Sequence, residues 1–145
     1  MSQTFNFKRE KEILDLINVY RKEKNLQPYI WHDFMGNLAR YHSQSMAEKR
    51  VQFSHQAIED RLKQIKESVP EGKVYYGGSE NVAYSRPGDM NPINSWQKSK
   101  GHDKNLLGDF THCGIGYVVN DNHEHYYTAL FAKISDIKNY KKVQN

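Results

Sequence analysis

The sequence predicts an α+β domain in which helices cover an antiparallel sheet, and three observations predict it. Apolar residues recur at helical spacing through the first half of the chain. After residue 73 the period shortens to extended segments rich in β-branched and aromatic residues. A polar turn near Asp121 then joins two apolar runs into a closing hairpin. The 145 residues fit one domain by length, spanning 1–145 with a core over about 7–135 and a basic C-terminal tail. A chain of this size buries about two thirds of its unfolded surface, enough to fold without covalent staples.

The first helix carries Ile13, Leu14, Ile17 and Tyr20 on one stripe, widened by Leu16. Arg21, Lys22 and Lys24 stand near its end, where cations suit the helix dipole. Asp33 reads as the N-cap of a second helix, entered through Trp31, that sets Phe34, Met35, Leu38, Ala39, His42 and Met46 on one side. Leu38 is expected in the core, where truncation to alanine costs about 2–5 kcal/mol. A third amphipathic stretch bears Ile58, Leu62 and Ile65 and ends before Pro70 and Gly72. The segments VYYGG and SENVAYS read as extended chain with a bulge or tight approach at the glycines, and Arg86 to Asp89 as a turn. Asn91 followed by Pro92 starts a helix carrying Ile93 and Trp96, with Gly101 expected to stop or bend it. THCGIGYVV and HYYTALFAKI, joined through Asn120, Asp121 and Asn122, are the hairpin strands.

The net charge of +4 would favour anionic surfaces, but the basic residues are dispersed. Lys8, Arg9 and Lys11 alternate with Glu10 and Glu12, and the stretch from Glu59 to Lys73 mixes both signs, so both read as solvated helix faces. Only the tail, with Lys133, Lys138, Lys141 and Lys142, is lopsided. No aromatic platform or recognition motif accompanies it, and nucleic acid is not expected as a partner. No apolar run is long enough to span a membrane, and MSQTFNFKREKE lacks the hydrophobic segment of a signal peptide. Cys113 is the sole cysteine, so no intramolecular disulfide exists and the residue reads as small core packing. Its neighbour His112 should point to the opposite face of a strand.

The run from His55 to His102 contains FSH, GGSENVAYS and NSWQKSKGHDKN, placing two histidines and a glutamate in separate local settings flanked by small or turn-forming residues. These pieces follow INVYRKEKNLQPYIWHDFMGNLARYHSQSMAEK and precede HCGIGYV and HYYTALFAKI. Taken in this order, from about Ile17 to Ile134, they resemble a bacterial member of the CAP superfamily, the cysteine-rich secretory, antigen 5 and pathogenesis-related 1 proteins with an SCP-like domain. The resemblance implies a three-layer α-β-α sandwich with a central antiparallel sheet and a cleft gathering two histidines and two glutamates. His55, His102 and Glu80 match three of these positions; the fourth, three residues after Trp96, is Ser99 here. The resemblance also implies an exported protein, displayed at the cell surface or outer membrane, secreted, or held as a lipoprotein. A signal or lipid-attachment cysteine would then have preceded residue 1. Lipid, sterol or a host molecule is the implied class of ligand.

Two converging imidazoles can bind a divalent metal such as zinc, making His55 and His102 its ligands, with water, a ligand or Glu80 filling the remaining positions. Glu80 could instead accept the other ring N–H of a histidine. The same groups also read as a self-satisfied polar cleft. The first functional reading is a non-enzymatic binding module. The alternative is a divalent-metal-dependent hydrolase with Glu80 as general base, or with Ser99 as nucleophile and His102 as its base. Ser99 lacks a strained elbow and no third residue orients the histidine, so no catalytic residue is assigned. Tyr75, Tyr76, Tyr84 and Tyr127 could line an apolar wall for lipid, although such aromatics are more often core. His123 and His125 flank Glu124 and would share one strand face. His32 and His42 fall on the second helix, His42 on its apolar stripe as a satisfied, half-buried side chain.

Overall fold

The computed structural model describes residues 4–86 and 88–137. In chain order the elements are β1 (Thr4–Phe5), α1 (Phe7–Glu23), β2 (Ile30–Trp31), α2 (Asp33–Ala47), α3 (Ile58–Ser68), β3 (Lys73–Ser85), α4 (Pro92–Gln97), α5 (Lys100–Leu106), β4 (His112–Val119) and β5 (His125–Asp136). The sheet runs β1-β4-β5-β3, with β2 also paired to β4. It is antiparallel except for the two-residue β2–β4 pair, which is parallel because the chain rises beside β4 on its way into α2.

Helix boundaries follow capping chemistry more closely than they follow charge. Asn6 caps α1 by accepting the Arg9 N–H. The cap of α2 is His32, not Asp33: Nδ1 of His32 accepts the Met35 N–H at 3.2 Å. Asp33 sits in the first turn, where its charge suits the dipole and it accepts the Trp31 indole N–H at 2.7 Å. Asn91 and Pro92 start α4 as their pattern predicts. Gly101 stops nothing. The break falls earlier, with α4 ending at Gln97 and Ser99 at the N-cap of α5, which contains Gly101.

Strand alternation divides the core into two layers. Cys113, Ile115 and Tyr117 of β4 and Tyr127, Ala129 and Phe131 of β5 meet α1, α4 and α5 through Ile13, Ile17, Ile93, Trp96 and Leu106. On the opposite face Leu130, Ala132 and Ile134 meet α2 and α3 through Met35, Ala39 and Ile65. This is the α-β-α sandwich. Here α2 rests directly on the sheet backbone: a Cβ on Gly114 would lie 2.2 Å from the Gly36 nitrogen, and one on Gly116 2.1 Å from the Arg40 nitrogen. Leu38 lies at the margin of its cluster and is only partly buried, so the cost of a core truncation applies to Leu130 instead. Leu16 and Phe34 are likewise exposed.

Other sequence expectations need correction. Glu10 and Arg61 are buried, not solvated, and Arg21, in the last turn of α1 as expected, is buried too. Each lies on an apolar stripe, at Glu10-Ile13-Leu14-Ile17-Arg21 and at Ile58-Arg61-Leu62-Ile65, so helix packing carries it inward. Arg21 donates to the carbonyls of Gln27, Leu106 and Gly108 and stacks on Tyr29, 3.7 Å from its ring centre. The four tyrosines form no common wall. Tyr127 is core beneath α1, Tyr75 packs with the Ile65 cluster beyond the bulge at Tyr75/Gly77, Tyr84 stands beside Tyr126, and Tyr76 lies under Lys133. His123 adopts φ 61 in the hairpin turn, so it does not share a strand face with His125, whose Nδ1 pairs with the Tyr117 hydroxyl at 2.7 Å. Cys113 is fully buried, which pushes its thiol pKa up, and His112 pairs with the Thr111 hydroxyl instead. Lys133 reaches Asp109 at 2.7 Å, while Lys138, Lys141 and Lys142 lie outside the described residues.

Candidate functional site

As an edge strand, β3 turns one row of backbone groups away from β5, and an uncovered row of this kind invites stray pairing. Side-chain donors from the flanking helices occupy it. The Trp96 indole donates to the Val82 carbonyl at 3.0 Å, and Asn105 Nδ2 reaches the Glu80 carbonyl at 3.4 Å and Asn81 Oδ1 at 2.9 Å. Asn81 Nδ2 in turn donates to the His102 carbonyl at 3.0 Å. The pleat that buries Val82 thus docks α5 and places His102 beside the strand.

On the other side of the same edge the Glu80 side chain is fully buried and both its oxygens are engaged. Arg61 donates Nε to Oε2 at 2.6 Å and Nη2 to Oε1 at 2.8 Å, while His55 Nδ1 lies 2.8 Å from Oε1. The turn carrying His55 is tied down twice more. Arg61 Nη1 donates to the Gln56 carbonyl at 2.8 Å, and His42 Nε2 to the Ser54 carbonyl at 2.8 Å. Burial pushes the Glu80 pKa upward, but the bonds from His55 and Arg61 outweigh it and hold the carboxyl below its ordinary value. An ionised Glu80 only accepts, so Nδ1 of His55 is the donor in this bond and Nε2 is the ring nitrogen left for the cleft. The His55 side chain is 44% exposed and can present it.

His102 is half-buried, and its ring has no hydrogen-bond partner among the described residues. Burial first, and the charge of His55 second, lower its pKa and favour the neutral ring. Ser99 stands one turn earlier at the N-cap of α5, and its hydroxyl makes no hydrogen bond among the described residues. The fold therefore joins His55 to Glu80 directly, brings His102 near through the asparagines, and leaves Ser99 outside the network. Sequence reasoning missed Arg61, Asn81, Asn105 and the bracing role of His42. The signal for Arg61 was its place on the Ile58-Leu62-Ile65 stripe; the two asparagines lay inside the SENVAYS and KGHDKN segments.

With Glu80 fully engaged, the donors left in the cleft are two imidazoles. No group of three or more His, Cys, Asp or Glu side chains is placed to hold a metal among the described residues. Two histidines, one oriented by a carboxylate, suit an open site completed by water or ligand, not a closed structural zinc.

The sequence profile described as the cysteine-rich secretory protein family, CAP, matches residues 14–131. An uncharacterized membrane protein of Bacillus subtilis (strain 168), YlbC, is 35% identical over 126 residues, covering 86% of this chain and 34% of its own length. The chain thus spans about a third of that relative. Among solved structures, an extracellular protein containing an SCP domain from Bacillus anthracis str. Ames is 30% identical with a TM-score of 0.68, over 86% of this chain and 40% of its own. An outer surface protein of Borrelia burgdorferi reaches a TM-score of 0.76 over 92% of this chain and 98% of its own, at 18% identity, a likeness of fold alone.

Proposed function

This chain belongs to the cysteine-rich secretory protein family, and from that premise we propose that it is a non-enzymatic binding domain working outside the cytoplasm. Its ligand contacts are the outward faces of His55 and His102. The observation that carries this reading is the state of Glu80. A general base must be free to take a proton, whereas Glu80 is buried, has a lowered pKa, and is saturated by Arg61 and His55. The Ser99 hydroxyl makes no hydrogen bond to His102 or any other base among the described residues, so neither form of the hydrolase alternative has its proton acceptor engaged. What remains is a rigid pair of imidazoles able to take a divalent ion such as zinc in an open site, or a ligand rich in hydrogen-bond donors.

The scattered tyrosines offer lipid no continuous wall on the sheet, so the cleft is the favoured contact. An extracytoplasmic setting is supported by the extracellular description of the Bacillus anthracis relative and the membrane description of YlbC. Among the described residues no helix is long and apolar enough to cross a membrane.

Native mass spectrometry and calorimetry with zinc, on the wild type and on His55→Ala and His102→Ala, test the proposal together with a panel of ester and peptide substrates. One weakly held zinc, lost in both variants, and no turnover are expected. Undiminished zinc binding in both variants would remove the metal from the cleft. Turnover abolished by chelation and by either variant would replace a binding domain with a hydrolase.

A further inference from the structure

A cavity of about 510 Å3 opens between α2 and α3, on the far side of the wall that holds Glu80. Its lining is mainly apolar, with Leu38, Tyr41, Val51 and Ala57 among the wall residues. Arg61 and His42 form the boundary it shares with the cleft. The volume falls in the range that takes a small organic ligand.

We propose that this cavity is a second binding site, selective for a small amphipathic cation: an apolar or aromatic body carrying one ammonium or guanidinium group. The charge preference follows from which lining groups are already committed. Among the described lining residues Arg61 is the one permanent cation, and its Nε, Nη1 and Nη2 are taken by Glu80 and the Gln56 carbonyl. The His42 Nε2 is taken by Ser54. An anion therefore finds no free charged donor. Asp60, at the mouth, is exposed, and its carboxylate makes no ion pair or hydrogen bond among the described residues. Tyr41 is a ring that a cation can face: the Arg50 guanidinium, its charge paired with Glu48 at 3.1 Å, lies 5.3 Å from the ring centre.

The site is also coupled to the cleft. The two residues on the shared boundary are the ones that pin the His55 turn, Arg61 through Gln56 and His42 through Ser54. A body seated against them displaces the turn and with it the His55 ring. This coupling does not depend on what the cleft itself binds.

An NMR titration at low ionic strength with 4-phenylbutylamine, and with 4-phenylbutyrate as the charge-reversed probe, tests the proposal on the wild type and on Asp60→Asn. The amine is expected to saturate shifts at Leu38, Val51, Ala57 and His42, and to move the His55 ring signals. Asp60→Asn should weaken it about two- to fivefold, the range an exposed ion pair supports, and the butyrate should bind more weakly than the amine. Because Asp60 is exposed, the variant leaves the packing intact. Equal affinity for the two probes, or an amine affinity unchanged by Asp60→Asn, would overturn the charge selectivity. The absence of saturable shifts would overturn the site, and saturation without movement of His55 would overturn the coupling.

Discussion

At the β4 edge, between the short pairings of β1 and β2, Glu10 of α1 accepts Arg40 Nε at 2.8 Å, Arg40 Nη2 at 2.5 Å and the Tyr117 N–H at 3.0 Å. At the β3 edge Glu80 accepts the same guanidinium fork from Arg61, but its third partner is the ring of His55. Both carboxylate side chains are fully buried. The difference lies in where the third bond leads. At β4 it ends on backbone, so the pair sews α1 to α2 over a gap in the sheet edge and goes no further. At β3 it ends on an imidazole whose side chain is 44% exposed, so a buried charge orients a ring that reaches solvent. A buried Arg–Glu pair is therefore not itself a mark of function; the group it goes on to position is.

The largest effects should come from removing either arginine. Arg40→Ala and Arg61→Ala each leave a buried carboxylate unpaired, and each should cost about 3–5 kcal/mol in urea unfolding. The lysine variants sharpen the contrast. Arg61→Lys keeps the charge but loses the fork and should weaken zinc binding, whereas Arg40→Lys should leave it unchanged. Equal zinc losses in the two would erase the distinction between the edges.

Next in size is Trp96→Phe, which strips the buried Val82 carbonyl of its donor and should cost about 1–3 kcal/mol. Asn105→Ala should cost less, since its bond to the Glu80 carbonyl is long.

Acid should then weaken the molecule in two stages. His32, His42, His102, His112 and His125 all have lowered pKa values, burial being the leading cause in each. The unfolded chain takes up protons near pH 6.5 while the folded one resists, so stability falls as the pH drops below about 6.5. Glu80 has the same sign in a lower window: its depressed pKa contributes stability above the ordinary glutamate value, about 4.3, which is lost as the pH falls below it. A melting temperature flat from pH 7 to pH 5 would contradict the first stage. Smallest of all is Ser99→Ala, expected within about 0.5 kcal/mol of the wild type, because the hydroxyl has no partner among the described residues.

Much of this was readable along the chain. Periodicity placed α1 to α3, Asn91-Pro92 placed the start of α4, and the hairpin announced itself through its turn. The ordered segments named the family and pointed to His55, Glu80 and His102. The charges were misread because sign alternation along a helix says nothing about which position lies on the packed stripe. Glu10 finds its partners 30 and 107 residues away, and Arg61 finds Glu80 19 residues away.

The sequence by itself determined the elements, their order and the residue types gathered at the β3 edge, because caps, periods and motifs act over a few neighbouring positions. Only the tertiary structure decided that Glu80 is an engaged anion, that His55 is held through Nδ1 with its ring partly exposed, and that the Ser99 hydroxyl makes no hydrogen bond among the described residues. Those properties depend on burial and on hydrogen-bond partners delivered by distant segments, and a carboxylate takes its role from the donors around it.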